Sequence, residues 1–441
     1  MLELAKKTIR YWKRHGTRRL LNRIIQEGIA RPQNEAARER AGDDIFRASK
    51  DLCRDILDKR YTQARSMVTR HIIGNGFDRI NIVTDSVCTT SLFGGVGTAL
   101  LFGALLANTL NAQCRIITRT ERPDERGVFS FFKLFGIALT QELQFKFEPC
   151  DNGGLGVEFA EHELFVTTSW WTTASTLSGV DASRIIYLLQ EDERMFYPVG
   201  DDWVRAHEIM RNENIRIVLN TKLLYEHMVS DGFANISRTG LWFEPSFPHC
   251  IYRRSELERD RGRRRFFFYA RPNNPRNLFY LGLEVIDRAL MKGVINSADW
   301  DILFVGSNIP NITLFGGFRP VICEKMPWNE YAQLLGTIDV GLSLMSTPHP
   351  SYPPLDLAAS GAVVVTNRFG LKKDLSKYSH NILCSNLNAE DVVSTIEAAI
   401  QLSTDTALRT HNYLHGGLGR SWEKSFHKVV GEIVGGFHDK H

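Results

Sequence analysis

The chain has 441 residues, 43% hydrophobic and 24% charged, which allows two or three domains with full cores and excludes wholesale disorder. A formal net charge of only +4 does not make nucleic acid a main partner. Seven widely spaced cysteines, none in a Cys-x-x-Cys pair, suggest neither a zinc site nor a disulfide framework and fit a reduced, cytoplasmic setting.

Residues 1–75 carry helical spacing and no strand pattern. Within them, KKTIRYWKRHGTRRLLNRII sets Ile9, Trp12, Leu20 and Ile24 among many bases. That reads either as a basic amphipathic helix on a membrane surface or as a solvated basic face packed along one apolar edge. Lys6, Lys7, Arg10, Lys13, Arg14, Arg18 and Arg19 stand where a signal peptide needs its apolar core, which argues against secretion. No apolar run approaches the roughly 20 residues of a membrane-spanning helix. The expectation is a cytoplasmic protein whose basic N-terminus allows peripheral contact with the inner face of the plasma membrane.

From Arg79 the rhythm becomes strand, loop, helix. RINIVTDSV reads as a buried first strand, CTTSLFGGVG as a glycine-rich loop and TALLFGALLANTL as a long helix. CRIITRT, ELFVTTSWWTTAST, RIIYLLQ and IRIVLNT continue the series, so residues 76–240 are expected to form a Rossmann-like domain with a parallel, doubly wound sheet. Residues 241–262 read as a linker. FFFYARPNNPRNL, DILFVGSNI, PVICEK, VGLSLMS and AVVVTN then supply a second such domain over 263–415, and residues 416–441 end the chain with a helix.

Ligands of such sheets bind beyond the carboxyl ends of the strands. That rule selects Phe93–Gly97, Ser169–Thr173, Gln190–Tyr197, Ala270–Arg276 and Ser346–Asp356. The last stretch is the most informative. Pro353 and Pro354 suit a first helical turn and Gly361 suits its stop. A helix beginning at a strand's carboxyl end aims N–H groups and positive dipole at an anion. Asp356 is expected on that first turn, accepting hydrogen bonds from a ribose diol, and His349 is a candidate nucleotide contact in the loop before it. Arg271 and Arg276 follow a strand directly and match diphosphate oxygens. Lys325, closing PVICEK, is a third cation.

Gly94, Gly95 and Gly97 could be a dinucleotide fingerprint, but the loop is too long and the next strand ends without an acid, which disfavours a dehydrogenase. Close backbone approach to a sugar or diphosphate remains, beside the plain alternative of a tight turn into a helix. Glu191, Asp192 and Glu193 in succession face like-charge repulsion that would raise some of their pKa values. Glu191 or Asp192 could then serve as a base or orient an acceptor hydroxyl; the alternative is an exposed acidic turn. Trp170 and Trp171 could floor a sugar site or pack a core. Asp299-Trp300-Asp301 stands at the entrance of a strand, the wrong end for a ligand metal, so no metal and no cofactor are expected.

With these residues in hand, the chain resembles a GT-B glycosyltransferase, and more narrowly the WsaF-type rhamnosyltransferases of glycosyltransferase family 4, over about residues 78–435. The similarity is carried by HPSYPPLDLAASG, by YARP with Arg276, and by Gln190–Pro198. The resemblance implies that the second domain binds dTDP-L-rhamnose and the first holds a glycan or lipid-linked glycan acceptor. It places Arg271, Lys325, Tyr352 and Asp356 on the nucleotide and Gly94 and Gly95 on the opposite lip. Retention of anomeric configuration, with Arg271 stabilising the leaving group, is also implied. Two positions depart: the family's Gln-Asp-Tyr-Glu reads Gln190-Glu191-Asp192-Glu193, and Asp356 stands where Glu is usual. A homodimer is a further partner the reading allows. The rivals are a non-catalytic sugar-nucleotide or glycan-binding subunit and a sugar-nucleotide epimerase.

Overall fold

A computed structural model of the protein describes residues 52–72, 79–88, 92, 94–151, 153–255, 262–324 and 326–438. The basic segment with Ile9 to Ile24 and the candidate cation Lys325 lie outside them. Residues Met1–Tyr61 form one unit and Thr62–His441 another; of the first, residues 52–60 are described, as helix. Among the described residues no helix is long and apolar enough to cross a membrane.

The second unit carries both sheets. Its earlier strands are β1 (Thr69–His71), β2 (Arg79–Thr84), β3 (Gln113–Thr118), β4 (Leu143–Phe147), β5 (Val157–Phe159), β6 (Leu164–Thr167), β7 (Ile185–Leu189), β8 (Arg216–Asn220) and β9 (Leu241–Phe243). The later ones are β10 (Arg264–Ala270), β11 (Trp300–Gly306), β12 (Val321–Glu324), β13 (Val340–Leu342), β14 (Val363–Asn367) and β15 (Ile382–Ser385). Seven form one sheet in the order β4-β3-β2-β6-β7-β8-β9 and six form another in the order β12-β11-β10-β13-β14-β15, with β1 paired to β5 alongside. Every pairing within the two large sheets is parallel. Strands covered by helices on both faces must be apolar throughout, which is why IIYLL and VVVTN are buried at every position.

Winding reverses between β2 and β6 in one sheet and between β10 and β13 in the other, and each reversal opens a crevice at the carboxyl edge. The helix Gly95–Thr109 leaves the first crevice and lies so close to β2 that a Cβ on Gly103 would stand 2.4 Å from Ile82 Cδ1. That glycine is what permits the approach.

Of residues 241–262, read as a linker, the described 241–255 are largely packed structure. Leu241–Phe243 is an edge strand of the first sheet, while Phe247, Ile251 and Tyr252 bury in the core of the second domain. The helix Trp422–His438 returns to the first domain and sinks Trp422, Phe426, Val429, Val430 and Ile433 into its core. Each such side chain contributes about 1.5–3 kcal/mol by burial. Outgoing and returning chains run side by side: Phe247 N–H donates to Gly419 O at 2.7 Å and Ser246 Oγ to Ser421 O at 2.9 Å. At the start of β11, Asp301 pairs with Arg263 at 2.7 Å, so that part of the Asp-Trp-Asp motif is spent on holding a strand end.

Candidate functional site

At the second crevice, β10 ends at Ala270 and the chain turns through Arg271 to a short 3-10 turn, Pro275–Asn277. Arg271 is exposed, with one guanidinium nitrogen 3.5 Å from Tyr269 Oη. Arg276 points inward, its guanidinium carbon 4.1 Å above the Phe196 ring. Its backbone carbonyl accepts from Ser346 N–H at 2.8 Å, tying this turn to the loop that leaves β13.

That loop ends at Ser351, whose φ of 73° is left-handed, and the helix begins at Tyr352 with both prolines in its first turn, as expected. Two expectations change in consequence. Pro353 and Pro354 fill the second and third helical positions and bring no N–H groups, so Tyr352 carries the sole N–H of the first three; Ser351 N–H is itself taken by His349 Nδ1 at 2.9 Å. An anion at this terminus would therefore meet mainly the dipole, with few donors. Asp356 also moves from the first turn to the second. It is buried beneath Tyr331 and Tyr252, its Oδ1 has no partner, and burial pushes its pKa to about 8 despite those phenols.

Beneath the loop lies Lys372, fully buried, with Nζ donating to Met345 O at 3.0 Å and His349 O at 3.4 Å. Burial lowers its pKa to about 8, opposed by the nearby charge of Glu191. His349, also buried, is driven down to about 3 by burial and by Lys372 and Arg276, so it is neutral. With Nδ1 accepting, Nε2 carries the proton, and that donor has no partner.

Opposite stands the first domain. Tyr352 crosses to it: its hydroxyl lies 2.5 Å from Thr98 Oγ1 and accepts from Asn220 Nδ2 at 2.9 Å. Gly94, at φ +56°, covers the tyrosine ring, and a Cβ there would meet Tyr352 Cδ2 at 3.5 Å. Gly95 O accepts from Gln190 Nε2 at 2.5 Å. The structure thus brings Gly94, Gly95 and Tyr352 together as a seam between the domains.

The three successive acids have three different surroundings. Burial chiefly, with a smaller push from the like charge of Asp192 expected from sequence, raises Glu191 to about 7 against the pull of Arg276 and Lys372. One Glu191 oxygen lies 3.6 Å from Arg276 and the other has no partner. Asp192 is raised by burial, but Arg194, at 2.9 and 2.6 Å, and His227, at 3.2 Å, overcome that and hold its carboxyl below the usual range. With both oxygens taken, Asp192 fixes the turn and has no lone pair to spare for a reacting proton. Glu193 accepts from Trp170 N–H at 2.6 Å, and burial lifts it to about 8.

Two members of the cluster were not found in the sequence: Lys372, and Asp85 at the end of β2. Asp85 accepts from Trp171 Nε1 at 2.9 Å and is raised by burial. Both follow strands at a carboxyl edge, which is the signal that could have found them. Trp170 is buried while Trp171 stays half-buried beside Asp85.

The WsaF N-terminal domain family matches residues 79–222 and the WsaF C-terminal domain family matches residues 264–397. The chain belongs to the WsaF family. The O-antigen biosynthesis protein RfbC of Myxococcus xanthus is 28% identical over 270 residues, 61% of this chain but only 20% of that protein's own length. Among solved structures, Anabaena HepE in complex with UDP and glucose aligns with a TM-score of 0.55 at 10% identity, covering 82% of this chain and 100% of that one. Sucrose-phosphate synthase from Thermosynechococcus elongatus aligns at 0.53 and 11% identity, covering 82% and 100%. The WsaF-family chain has the GT-B fold of these glycosyltransferases.

Proposed function

We propose that this WsaF-family chain is a glycosyltransferase that moves L-rhamnose from dTDP-L-rhamnose to a hydroxyl of a surface polysaccharide or lipid-linked glycan. The observation that carries the reading is a buried carboxylate of the first domain, Glu191, set against a guanidinium of the second, Arg276, where the loops after β7 and β10 meet. A leaving diphosphate and an incoming hydroxyl must meet at such a place.

In the reaction the sugar C1–O bond to the diphosphate breaks and the acceptor oxygen bonds to C1. Negative charge grows on the leaving diphosphate through an oxocarbenium-like state. Arg271, Arg276, Lys325 and the helix dipole at Tyr352 stabilise that charge without a metal. Glu191 accepts a hydrogen bond from the acceptor hydroxyl and orients it; with retention of configuration, the proton passes to the departing phosphate oxygen. The Gly94–Tyr352 seam closes the cleft against water, which would otherwise hydrolyse the donor. The RfbC likeness supports a polysaccharide acceptor. HepE, solved with UDP-glucose, makes UDP-sugars the donors to compare.

Thermal shift with dTDP-, UDP- and GDP-sugars tests the donor, since a ligand bound to the native state raises its apparent stability. Stabilisation by dTDP-L-rhamnose, followed by transfer to a rhamnosylated acceptor, is the expected result. No shift with any sugar nucleotide would reject the reading, and binding without turnover would favour a non-catalytic binding subunit.

A further inference from the structure

Arg276 has two claims on its charge. In this structure its guanidinium faces Glu191 of the opposite domain at 3.6 Å while its flat face rests on Phe196. Of the other charged groups around the pair, Arg271 is exposed beside Tyr269, and the rest already have partners or are neutral. Asp192 is held by Arg194 and His227, Glu193 by Trp170 N–H, and Lys372 by two backbone carbonyls. His349 is neutral. Glu191 Oε1 alone among these carboxylate oxygens is buried and without a partner.

We propose that Glu191 is an internal competitor for the donor's diphosphate: it holds Arg276 in the geometry described and must yield that guanidinium when a nucleoside diphosphate binds. This rests on the donor site proposed above. Two anions cannot share one guanidinium cheaply in a buried site, because the like charges repel through a low dielectric. Protonating Glu191 removes the competitor, and its pKa of about 7 places that event at neutrality. Diphosphate affinity therefore rises as pH falls through this range. Orienting an acceptor hydroxyl requires the ionised carboxylate, so donor capture and acceptor activation pull in opposite directions across pH 7. The carboxylate released from Arg276 is also the one that meets the acceptor, which favours donor binding first.

The test is calorimetry at pH 6–8.5 on wild type, Glu191→Gln and Glu191→Asp, with dTDP and UDP as probes and thymidine and uridine as controls. At pH 8, Glu191→Gln is expected to bind the matching nucleoside diphosphate about tenfold more tightly, the scale of one charge-assisted contact. The nucleoside should be unaffected, the pH dependence should flatten, and Glu191→Asp should stay near wild type. Equal or weaker diphosphate binding by Glu191→Gln, with the nucleoside unchanged, overturns the inference alone. Absence of nucleotide binding by every form removes the donor site and the inference with it.

Discussion

At the carboxyl edge of the first sheet stand Asp85, Glu191, Asp192 and Glu193; at the same edge of the second stand Arg271, Arg276 and Lys372. The two domains share strand direction and a switch point, yet one presents acids and the other cations. Burial acts on both in the direction that removes charge. It lifts Glu191 to about 7 and Glu193 to about 8, and it lowers Lys372 to about 8. Asp192 escapes this because Arg194 and His227 pair both of its oxygens. A repeated fold thus provides a poised anionic wall and a poised cationic wall, and the chemistry lies in what faces each.

The comparison breaks most visibly at Glu191. Glu191→Gln is expected to lower kcat by about 10- to 100-fold, the scale of one lost charge-assisted hydrogen bond to the acceptor, while nucleoside diphosphate binding tightens. Unchanged turnover would leave the anionic wall without a catalytic task. Next comes the cationic wall: Arg271→Ala should weaken dTDP binding by about 1.5–3 kcal/mol, and unchanged calorimetric affinity would reject that role.

Tyr352→Phe removes the hydroxyl that joins the walls and strands Asn220 Nδ2, while Thr98 Oγ1 keeps its bond to Gly94 O, at a cost of about 1–3 kcal/mol in denaturant unfolding. A stability equal to wild type would show that the seam contributes nothing. The last test concerns Asp356. Its folded pKa is raised to about 8 from the ordinary carboxylate value of 3.8, so the folded chain keeps a proton that the unfolded chain loses. Stability should fall as pH climbs through that window. Asp356→Asn should flatten the slope of Tm between pH 5 and 8, and an unchanged slope would mean that the carboxyl is ionised throughout.

The architecture was legible because parallel strands buried on both faces are continuous apolar runs, as in RINIVT and AVVVTN. The strand-end rule led from those runs to Glu191, Arg271 and Arg276. It missed Asp85 because RINIVTDSV reads as one strand, and it missed Lys372 because nothing local tells which of the adjacent Lys372 and Lys373 turns inward. The depth of Asp356 depends on where the helix starts, which a left-handed Ser351 decides. The Tyr352 hydroxyl meets a partner 254 residues away, beyond the reach of any local pattern.

The helix Trp422–His438 has a consequence for how the chain is made. The core begun around Ile80 and Leu100 lacks Trp422, Phe426 and Ile433 until the ribosome has passed them. The six strands from Arg264 to Ser385 have by then all emerged. The domain synthesised first is thus completed last, and its half-built core must wait, apolar side exposed, for the nascent chain to come back.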